Sequence, residues 1–166
     1  IDGLEFSERV ELSYAETFAI DRYEDGYSMI HTMNGECYLF VPEGGKIPDG
    51  LSENIVIIEK PADNIYLAAT SVMGLFAELE KGDTVKFSGT KADDWYIDYA
   101  RQAMENGEML YAGKYREPDY ELLLENECRL SIQSTMIEHS PEVRDKLNEL
   151  GIPVFVDYSS YESHPL

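Results

Sequence analysis

Residues 64–157 alternate between short apolar segments and amphipathic segments, and this alternation restricts the fold more than any other feature of the chain. The apolar segments are rich in β-branched and aromatic residues, which is typical of strands. The predicted strands are residues 64–69, 84–87, 129–133 and 154–157. Because strands joined through helices pair in parallel, the alternation predicts an α/β fold with a parallel sheet flanked by helices on both faces.

Helices are predicted between these strands, at residues 71–79, 93–106, 118–126 and 141–150. Helical spacing predicts a buried face in the first two, formed by Val72, Leu75, Phe76 and Leu79 and by Tyr96, Tyr99, Ala100 and Ala103. Pro118 is expected in the first turn of the third helix, where an amide hydrogen is not needed. Ser140 is expected to cap the fourth, and Gly82, Gly107 and Gly151 to follow helix ends.

Residues 12–60 have a different pattern, which predicts β structure. Strands are predicted at residues 17–21, 27–31 and 37–41, with a further candidate at 54–59. The dipeptides Asp25-Gly26 and Asn34-Gly35 separate the first three, and both favour type I′ turns, in which each central residue has positive φ. We therefore expect an N-terminal antiparallel β-meander over residues 1–60, packed on an α/β unit over residues 61–166.

The charge of the chain excludes several classes of partner. It has 13 Lys and Arg against 33 Asp and Glu, a net charge of −20. Nucleic acids and anionic membrane surfaces both need a basic face, so neither is an expected partner. No segment approaches the roughly 20 apolar residues of a membrane-spanning helix. The chain begins at Ile1, from which we expect that a targeting segment has been removed.

Ligands of open parallel sheets collect at the carboxyl ends of the strands, and this rule selects Thr70, Ser71, Lys91, Ser134, Thr135 and Met136 as candidate site residues. Tyr115 and Arg116 join them from the segment before the third predicted helix, and Trp95 is expected nearby. Lys91, Lys114 and Arg116 are basic residues in a chain whose net charge is negative. Together with Trp95 and Tyr115 they predict a basic, aromatic binding site for an anionic or planar ligand. The alternative is that these are solvated loop residues, and that Ser71 only caps a helix.

Signatures of catalysis and of metal binding are weak. The chain has no nucleophile elbow, phosphate-binding loop or dinucleotide fingerprint, and His31, His139 and His164 lie on different predicted elements. We therefore expect neither a catalytic centre nor a metal site. Cys37 and Cys128 have no metal-ligand spacing, and both are predicted to be buried free thiols, although a disulfide between them remains open.

Several segments, in order, resemble one family. They are residues 64–79 (NIYLAATSVMGLFAEL), 118–123 (PDYELL), 147–157 (LNELGIPVFVD) and 159–166 (SSYESHPL). Together they are similar to the solute-binding proteins of ABC transporters for ferric siderophores, haem and cobalamin. The resemblance covers roughly residues 64–166.

The resemblance implies a two-lobed protein whose ligand lies between lobes joined by a long helix. This chain stops where that helix is expected to begin, so we expect an N-terminal lobe alone. That lobe is a Rossmann-like α/β unit over residues 61–166, extended by the β-meander. An isolated lobe exposes half of a cleft, from which we expect self-association or weak ligand binding.

The same resemblance implies a binding protein without catalysis or an intrinsic cofactor. Its ligand contacts would be the nine candidate residues above, and Glu121 would pair with arginines of an ABC permease. The expected location is extracytoplasmic, as a lipoprotein or a periplasmic protein. The expected ligand is a ferric siderophore; alternatives are haem, with Met136 or a tyrosine as axial ligand, and cobalamin. From other classes, an α/β hydrolase and an adhesion module using residues 17–41 remain open.

Overall fold

The computed structural model describes residues 1–162, which form two compact units. Of these residues, the first unit contains Ile1–Pro61 and 160–162, and the second contains Ala62–Ser159. The architecture is α/β, with a mixed sheet in the first unit and a parallel sheet in the second. Residues 163–166, which contribute to the family resemblance, lie outside the described residues.

The first unit is built on a five-stranded sheet in sequence order. Its strands are β1 (Phe6–Arg9), β2 (Phe18–Tyr23), β3 (Ser28–Thr32), β4 (Cys37–Val41) and β5 (Ile55–Glu59). The first four pair antiparallel, which confirms the predicted meander, and β5 pairs parallel to β4. Tyr27, Met29, Leu39 and Val41 form the buried core of this unit.

The two turns of the meander differ from each other. Asp25 and Gly26 have φ values of 58° and 83°, so the predicted positive φ at both residues is confirmed. At the next turn only Gly35 is left-handed, with a φ of 87°, and the predicted type I′ turn is wrong. The Gly35 amide donates to the Thr32 carbonyl and the Thr32 amide to the Glu36 carbonyl. The loop over residues 33–35 is therefore one residue longer than the two-residue loop of a type I′ turn. Loops of this length need positive φ only at their last position.

The second unit is built on a five-stranded parallel sheet. Its strands are β6 (Ile65–Leu67), β7 (Val85–Ser88), β8 (Leu110–Tyr111), β11 (Leu130–Ser134) and β12 (Val154–Asp157), in the spatial order β12-β11-β6-β7-β8. A small hairpin of β9 (Gly113–Lys114) and β10 (Glu117–Pro118) follows β8. The chain leaves β6 toward β7 on one side and returns to β11 on the other, so the strand order reverses between β6 and β11.

Helices flank this sheet. They are α1 (Met73–Glu78), α2 (Asp98–Glu105), α3 (Tyr120–Glu125) and α4 (Pro141–Glu149). Leu123 of α3 and Val143 and Leu147 of α4 pack with Tyr66 and Phe87 in one core cluster. Parallel strands are joined by right-handed crossovers in nearly all proteins, and with this strand order the rule predicts α1 and α2 on the opposite face.

The first helix differs from its prediction in start, face and end. It begins at Met73 after a 3₁₀ turn over Thr70–Val72, which rotates its surface so that Met73 is fully buried. Leu75 and Leu79 are 46% and 70% exposed, so the predicted buried face is wrong. Glu80, with a φ of 54°, takes the left-handed position expected of Gly82. Gly82 is buried against the Tyr99 ring, from which an added Cβ would lie only 2.2 Å away.

Two further helix predictions need correction. The segment predicted as one helix over residues 93–106 is a 3₁₀ turn over Ala92–Asp94 followed by α2, and Tyr96 between them is 99% exposed rather than buried. Pro118 does not open α3, because it lies in β10 opposite Gly113. Asp119 caps α3 instead, where its Oδ1 accepts the Leu122 amide at 3.0 Å.

Candidate functional site

The loops that follow the parallel strands of the second unit share one side of the sheet, here termed the carboxyl edge. The loop after β6 contains Thr70 and Ser71, and the loop after β11 contains Thr135 and Met136, with Ser134 at the strand end. These two loops flank the point where the strand order reverses. Open α/β sheets bind ligands at such a point, because the loops on either side of it run in opposite directions.

A group of hydroxyl and carboxylate side chains lies at this point. Ser71 Oγ donates to Asp157 Oδ2 at 3.4 Å, reaching from the loop after β6 to the end of β12. Ser159 donates to the same carboxylate through its amide, 3.0 Å from Oδ1, and its hydroxyl, 2.9 Å from Oδ2. The alternative role of Ser71 as a helix cap is wrong, since α1 begins after Val72. The sequence prediction missed Asp157 and Ser159, although the carboxyl-end rule applied to the last strand selects both.

The basic residues lie toward the opposite end of the carboxyl edge. Lys91 Nζ stands 5.6 Å from the centroid of the Tyr111 ring. The Arg116 guanidinium stands 5.3 Å from the centroid of the Tyr115 ring, and Arg116 Nε donates to the Tyr115 hydroxyl at 2.7 Å. Each cation therefore faces an aromatic ring, an arrangement that holds a long side chain without neutralising its charge. The sequence prediction missed Tyr111.

Trp95 does not face solvent. Its side chain is 4% exposed, and its indole N–H donates to Ser88 Oγ at 3.1 Å. The same hydroxyl accepts the Thr90 amide at 2.9 Å and donates to the Thr90 carbonyl at 2.6 Å. Gly89 in this loop approaches Ala68 so closely that a Cβ would lie 3.0 Å from the Ala68 Cα. Trp95 and Ser88 thus fix the loop that presents Lys91.

The charges along the carboxyl edge are mixed. Asp157 and Glu138, whose Oε1 accepts the Tyr158 hydroxyl at 2.7 Å, lie by β11 and β12. Lys91 and Arg116 follow β7 and β8, and two exposed aspartates come shortly after Lys91 in the same loop. Lys91 and Arg116 can attract an anion to this end, against the negative charge of the neighbouring carboxylates.

A buried polar cluster lies in the sheet below this edge. The Tyr66 hydroxyl donates to the Gly113 carbonyl at 2.9 Å, and burial raises the pKa of Tyr66 well above its ordinary value. Gln133 Nε2 donates to Ser131 Oγ at 2.8 Å, while Gln133 Oε1 is buried without a hydrogen-bond partner among the described residues. Tyr66 therefore stays protonated, and its hydroxyl fixes the start of the β9–β10 hairpin.

The remaining predicted residues have these positions. Thr70 is exposed, Ser134 and Thr135 are half-buried, and Met136 is 42% exposed; the Met136 amide donates to Ser134 Oγ at 3.4 Å. Glu121 is exposed in the first turn of α3.

Both cysteines are free thiols. Cys128 is buried, as predicted, and burial raises its pKa to about 11. Cys37 was also predicted to be buried, but it is only half-buried.

Within residues 1–162 no group of three or more His, Cys, Asp or Glu side chains is arranged to hold a metal ion. None of the helices described above is long and apolar enough to cross a membrane. No protein-family model matches the chain, and no curated protein matches it either.

Proposed function

We propose that this chain is the ligand-capturing lobe of an extracytoplasmic solute-binding protein, which binds a ferric siderophore and delivers it to an ABC permease. The observation that carries the proposal is the reversal of strand order between β6 and β11, with the loops of Ser71 and Ser134 on either side of it. Binding sites of parallel sheets form at such a point. The second lobe of the proposed protein would cover this edge.

The charge distribution favours an anionic chelate. A net charge of −20 repels anions from most of the surface, so an anion needs locally placed cations to bind. Lys91 and Arg116 supply them, and Tyr111 and Tyr115 offer aromatic faces next to them. A catecholate or hydroxamate complex of Fe³⁺ combines negative charge with flat aromatic or amide surfaces, and the iron is cargo rather than a group that the chain coordinates.

Glu121 is the proposed contact for the permease. It is exposed in the first turn of α3, two residues after the Asp119 cap. An exposed carboxylate there remains available to accept two hydrogen bonds from an arginine. Delivery would follow from docking of this surface, with no chemical change in the ligand.

Haem is the second candidate ligand, and one observation supports it. The Met136 side chain is 42% exposed at the carboxyl edge, where its thioether could act as an axial iron ligand. Cobalamin has less support, because a largely neutral ligand gains little from Lys91 and Arg116. An α/β hydrolase would need a histidine next to Ser71; the partner that the structure gives the Ser71 hydroxyl is the Asp157 carboxylate.

The test is a titration of the chain with ferric catecholate and ferric hydroxamate complexes, haem and cobalamin, with the iron-free chelators as controls. Trp95 fluorescence reports on the loop of Lys91 through the Ser88 hydrogen bond, and calorimetry checks for optical artefacts. We expect saturable binding of one ferric complex. Lys91→Gln should weaken this binding about tenfold, because it removes one charge contact that contributes roughly 1.4 kcal/mol.

The matched control is Lys81→Gln. Lys81 is also exposed, but it precedes β7 and so lies by the amino end of that strand, away from the carboxyl edge. Its substitution should leave the affinity unchanged. Saturable binding of haem or cobalamin alone would move the assignment to that ligand. Absence of binding to every compound, or equal effects of the two substitutions, would contradict the proposal.

A further inference from the structure

Four polar side chains on β1–β4 of the first unit form a continuous chain of contacts, here termed the thiol relay: Arg9, Asp21, His31 and Cys37. Cys37 Sγ lies 3.3 Å from His31 Nδ1, and His31 Nε2 lies 2.9 Å from Asp21 Oδ2. Arg9 donates to both Asp21 oxygens, from Nε at 2.7 Å and from Nη2 at 2.9 Å. From Cys37 to Arg9, the groups in contact are therefore a thiol, an imidazole, a carboxylate and a guanidinium.

Strand register holds these four side chains on one face. Arg9 is directly opposite Asp21 across β1 and β2, and His31 is directly opposite Cys37 across β3 and β4. Asp21 is opposite Met29, so His31 is its diagonal neighbour on the same face. Directly opposed and diagonal residues of antiparallel strands are within side-chain reach of each other.

The partners of His31 determine its tautomer. Asp21 is buried, and its hydrogen bonds with Arg9 hold the pKa of this carboxyl below its ordinary value, so it is an acceptor only. His31 must therefore donate from Nε2, which leaves Nδ1 of the neutral ring as an acceptor for the Cys37 S–H. Burial raises the pKa of the Cys37 thiol, so the sulfur carries its proton at neutral pH and needs a base to react.

We propose that Cys37 is a nucleophilic thiol that forms mixed disulfides with small disulfide molecules, with His31 as its base and Asp21 as the group that orients His31. A nucleophile bonded to a base that a third group orients is the arrangement by which enzymes activate thiols. Cys37 is half-buried and the His31 side chain is 35% exposed, so a small molecule has access. The proposal concerns the first unit and does not rest on the proposed function of the second.

The reaction balances without any further reagent. The Cys37 thiol loses its proton to His31 Nδ1 while Sγ attacks one sulfur of the small disulfide. A new S–S bond forms as the original S–S bond breaks, and its electron pair leaves on the second sulfur. That sulfur departs as a thiol with the proton from His31 or, where its own pKa is low, as a thiolate while His31 releases the proton to water. The Cys37 sulfur is oxidised and the departing sulfur is reduced.

The test uses 5,5′-dithiobis(2-nitrobenzoic acid), a small aromatic disulfide whose released thiolate is coloured, on the folded chain. Peptide mass spectrometry assigns the modified residue, and buried Cys128 serves as an internal comparison. We expect the reagent to modify Cys37. His31→Gln should lower the rate of this reaction at least about tenfold at pH 7.5, because a positioned base accelerates a proton transfer by at least that factor. His139→Gln, which removes an exposed histidine of the second unit, should not change the rate.

The pH dependence separates a base from a merely structural neighbour. The titratable and charged groups that face Cys37 are Arg9 on β1, Asp21 and Tyr23 on β2 and His31 on β3; its neighbour on β5 is the apolar Ile55. With a base, the wild-type rate should rise by less than tenfold per pH unit, and His31→Gln should approach it only at a pH above the raised pKa of the Cys37 thiol. Asp21→Asn should slow the reaction as well, since its amide can donate to Nε2 and leave Nδ1 protonated.

The following outcomes overturn the proposal: equal rates for wild type and His31→Gln at pH 7.5, or no reaction of Cys37 until the chain is unfolded in urea. If circular dichroism shows that His31→Gln does not fold, the wild-type pH profile decides. A rate that rises tenfold per pH unit from pH 6 to 9 would show that hydroxide, and not His31, removes the proton.

Discussion

Two basic side chains share the buried carboxylate of Asp21 in the first unit. Arg9 binds it through two hydrogen bonds and His31 through one. The pKa of Asp21 is held below its ordinary value, chiefly by the hydrogen bond with Arg9, so the folded chain binds a proton at this position less readily than the unfolded chain does. The resulting stabilisation is therefore complete above the ordinary aspartate pKa and is lost as the pH falls through the lower value of the folded state.

Asp21→Asn should lower the free energy of unfolding at pH 7 by about 1–3 kcal/mol, because it removes the charge that Arg9 and His31 bind in a buried position. Urea unfolding measured between pH 7 and pH 3 tests this. The difference between wild type and variant should shrink below the ordinary aspartate pKa of 3.8.

The control for Asp21 is Glu8→Gln. Glu8 pairs with Arg22 at 3.0 Å, but both side chains are more than half exposed. An exposed pair contributes little, so this substitution should change stability by about 0.5 kcal/mol or less. Equal losses for the two substitutions, or a loss for Asp21→Asn that does not depend on pH, would contradict this account.

At the scale of the element, the β9–β10 hairpin depends on one residue without a side chain. Gly113 has a φ of 81°, and a Cβ there would lie 2.2 Å from the carbonyl oxygen of Glu117. The Gly113 carbonyl also accepts the buried Tyr66 hydroxyl. The hairpin carries Tyr115 and Arg116, so its geometry decides where these two candidate residues lie.

Gly113→Ala should destabilise the second unit by about 3 kcal/mol, since it combines left-handed strain with a backbone clash. Gly107→Ala is the matched control: its φ is 74°, but a Cβ there would have no neighbour within 4 Å, so it should cost only about 1 kcal/mol. Thermal unfolding of the two variants measures the difference. Losses of the same size would mean that the hairpin adjusts to the added methyl group.

The start of α3 depends on the side chain of Asp119, which accepts the Leu122 amide. Asp119→Ala should lower stability by about 1 kcal/mol, the usual effect of losing a cap. Asp119→Asn keeps an acceptor oxygen in the same place and should lose much less. Denaturant unfolding of both variants is the measurement, and a loss for Asn as large as that for Ala would indicate that charge, not the hydrogen bond, holds the helix start.

At the scale of the whole molecule, acidic residues outnumber basic ones 33 to 13. Repulsion among like charges destabilises a compact chain, and added salt screens repulsion between exposed charges that are more than about 10 Å apart at 0.1 M. Raising NaCl from 0.02 to roughly 0.5 M at pH 7 should therefore raise the urea concentration at the unfolding midpoint.

Measurement of the same salt effect near pH 4.3, the isoelectric point of the sequence, is the control. The net charge is close to zero there, so the dependence on salt should largely vanish. A midpoint that falls with NaCl at pH 7 would show that attractive pairs such as Arg9–Asp21 outweigh the repulsion. The expected self-association of an isolated lobe is a separate prediction, which sedimentation at several protein concentrations tests.

The candidate site shows how far sequence reasoning extends. The rule that ligands collect at carboxyl ends selected Ser71 and Ser134, which do lie at that edge. The same rule applies to Asp157 at the end of the last strand, but it does not show that Ser71 contacts Asp157, because that contact crosses β11 and depends on the spatial order of the strands. It could not show that Trp95 is buried, since burial depends on the Ser88 hydroxyl to which the indole donates.

The sequence by itself determined the alternation of strands and helices, the parallel sheet and the N-terminal meander, because hydrophobic periodicity and turn residues act over a few neighbouring positions. Only the tertiary structure decided which face of α1 is buried, where Pro118 lies and how the strands are ordered. It also brought Arg9, Asp21, His31 and Cys37 together. Contacts between distant residues depend on strand register and packing, which the spacing of residues along the chain does not encode.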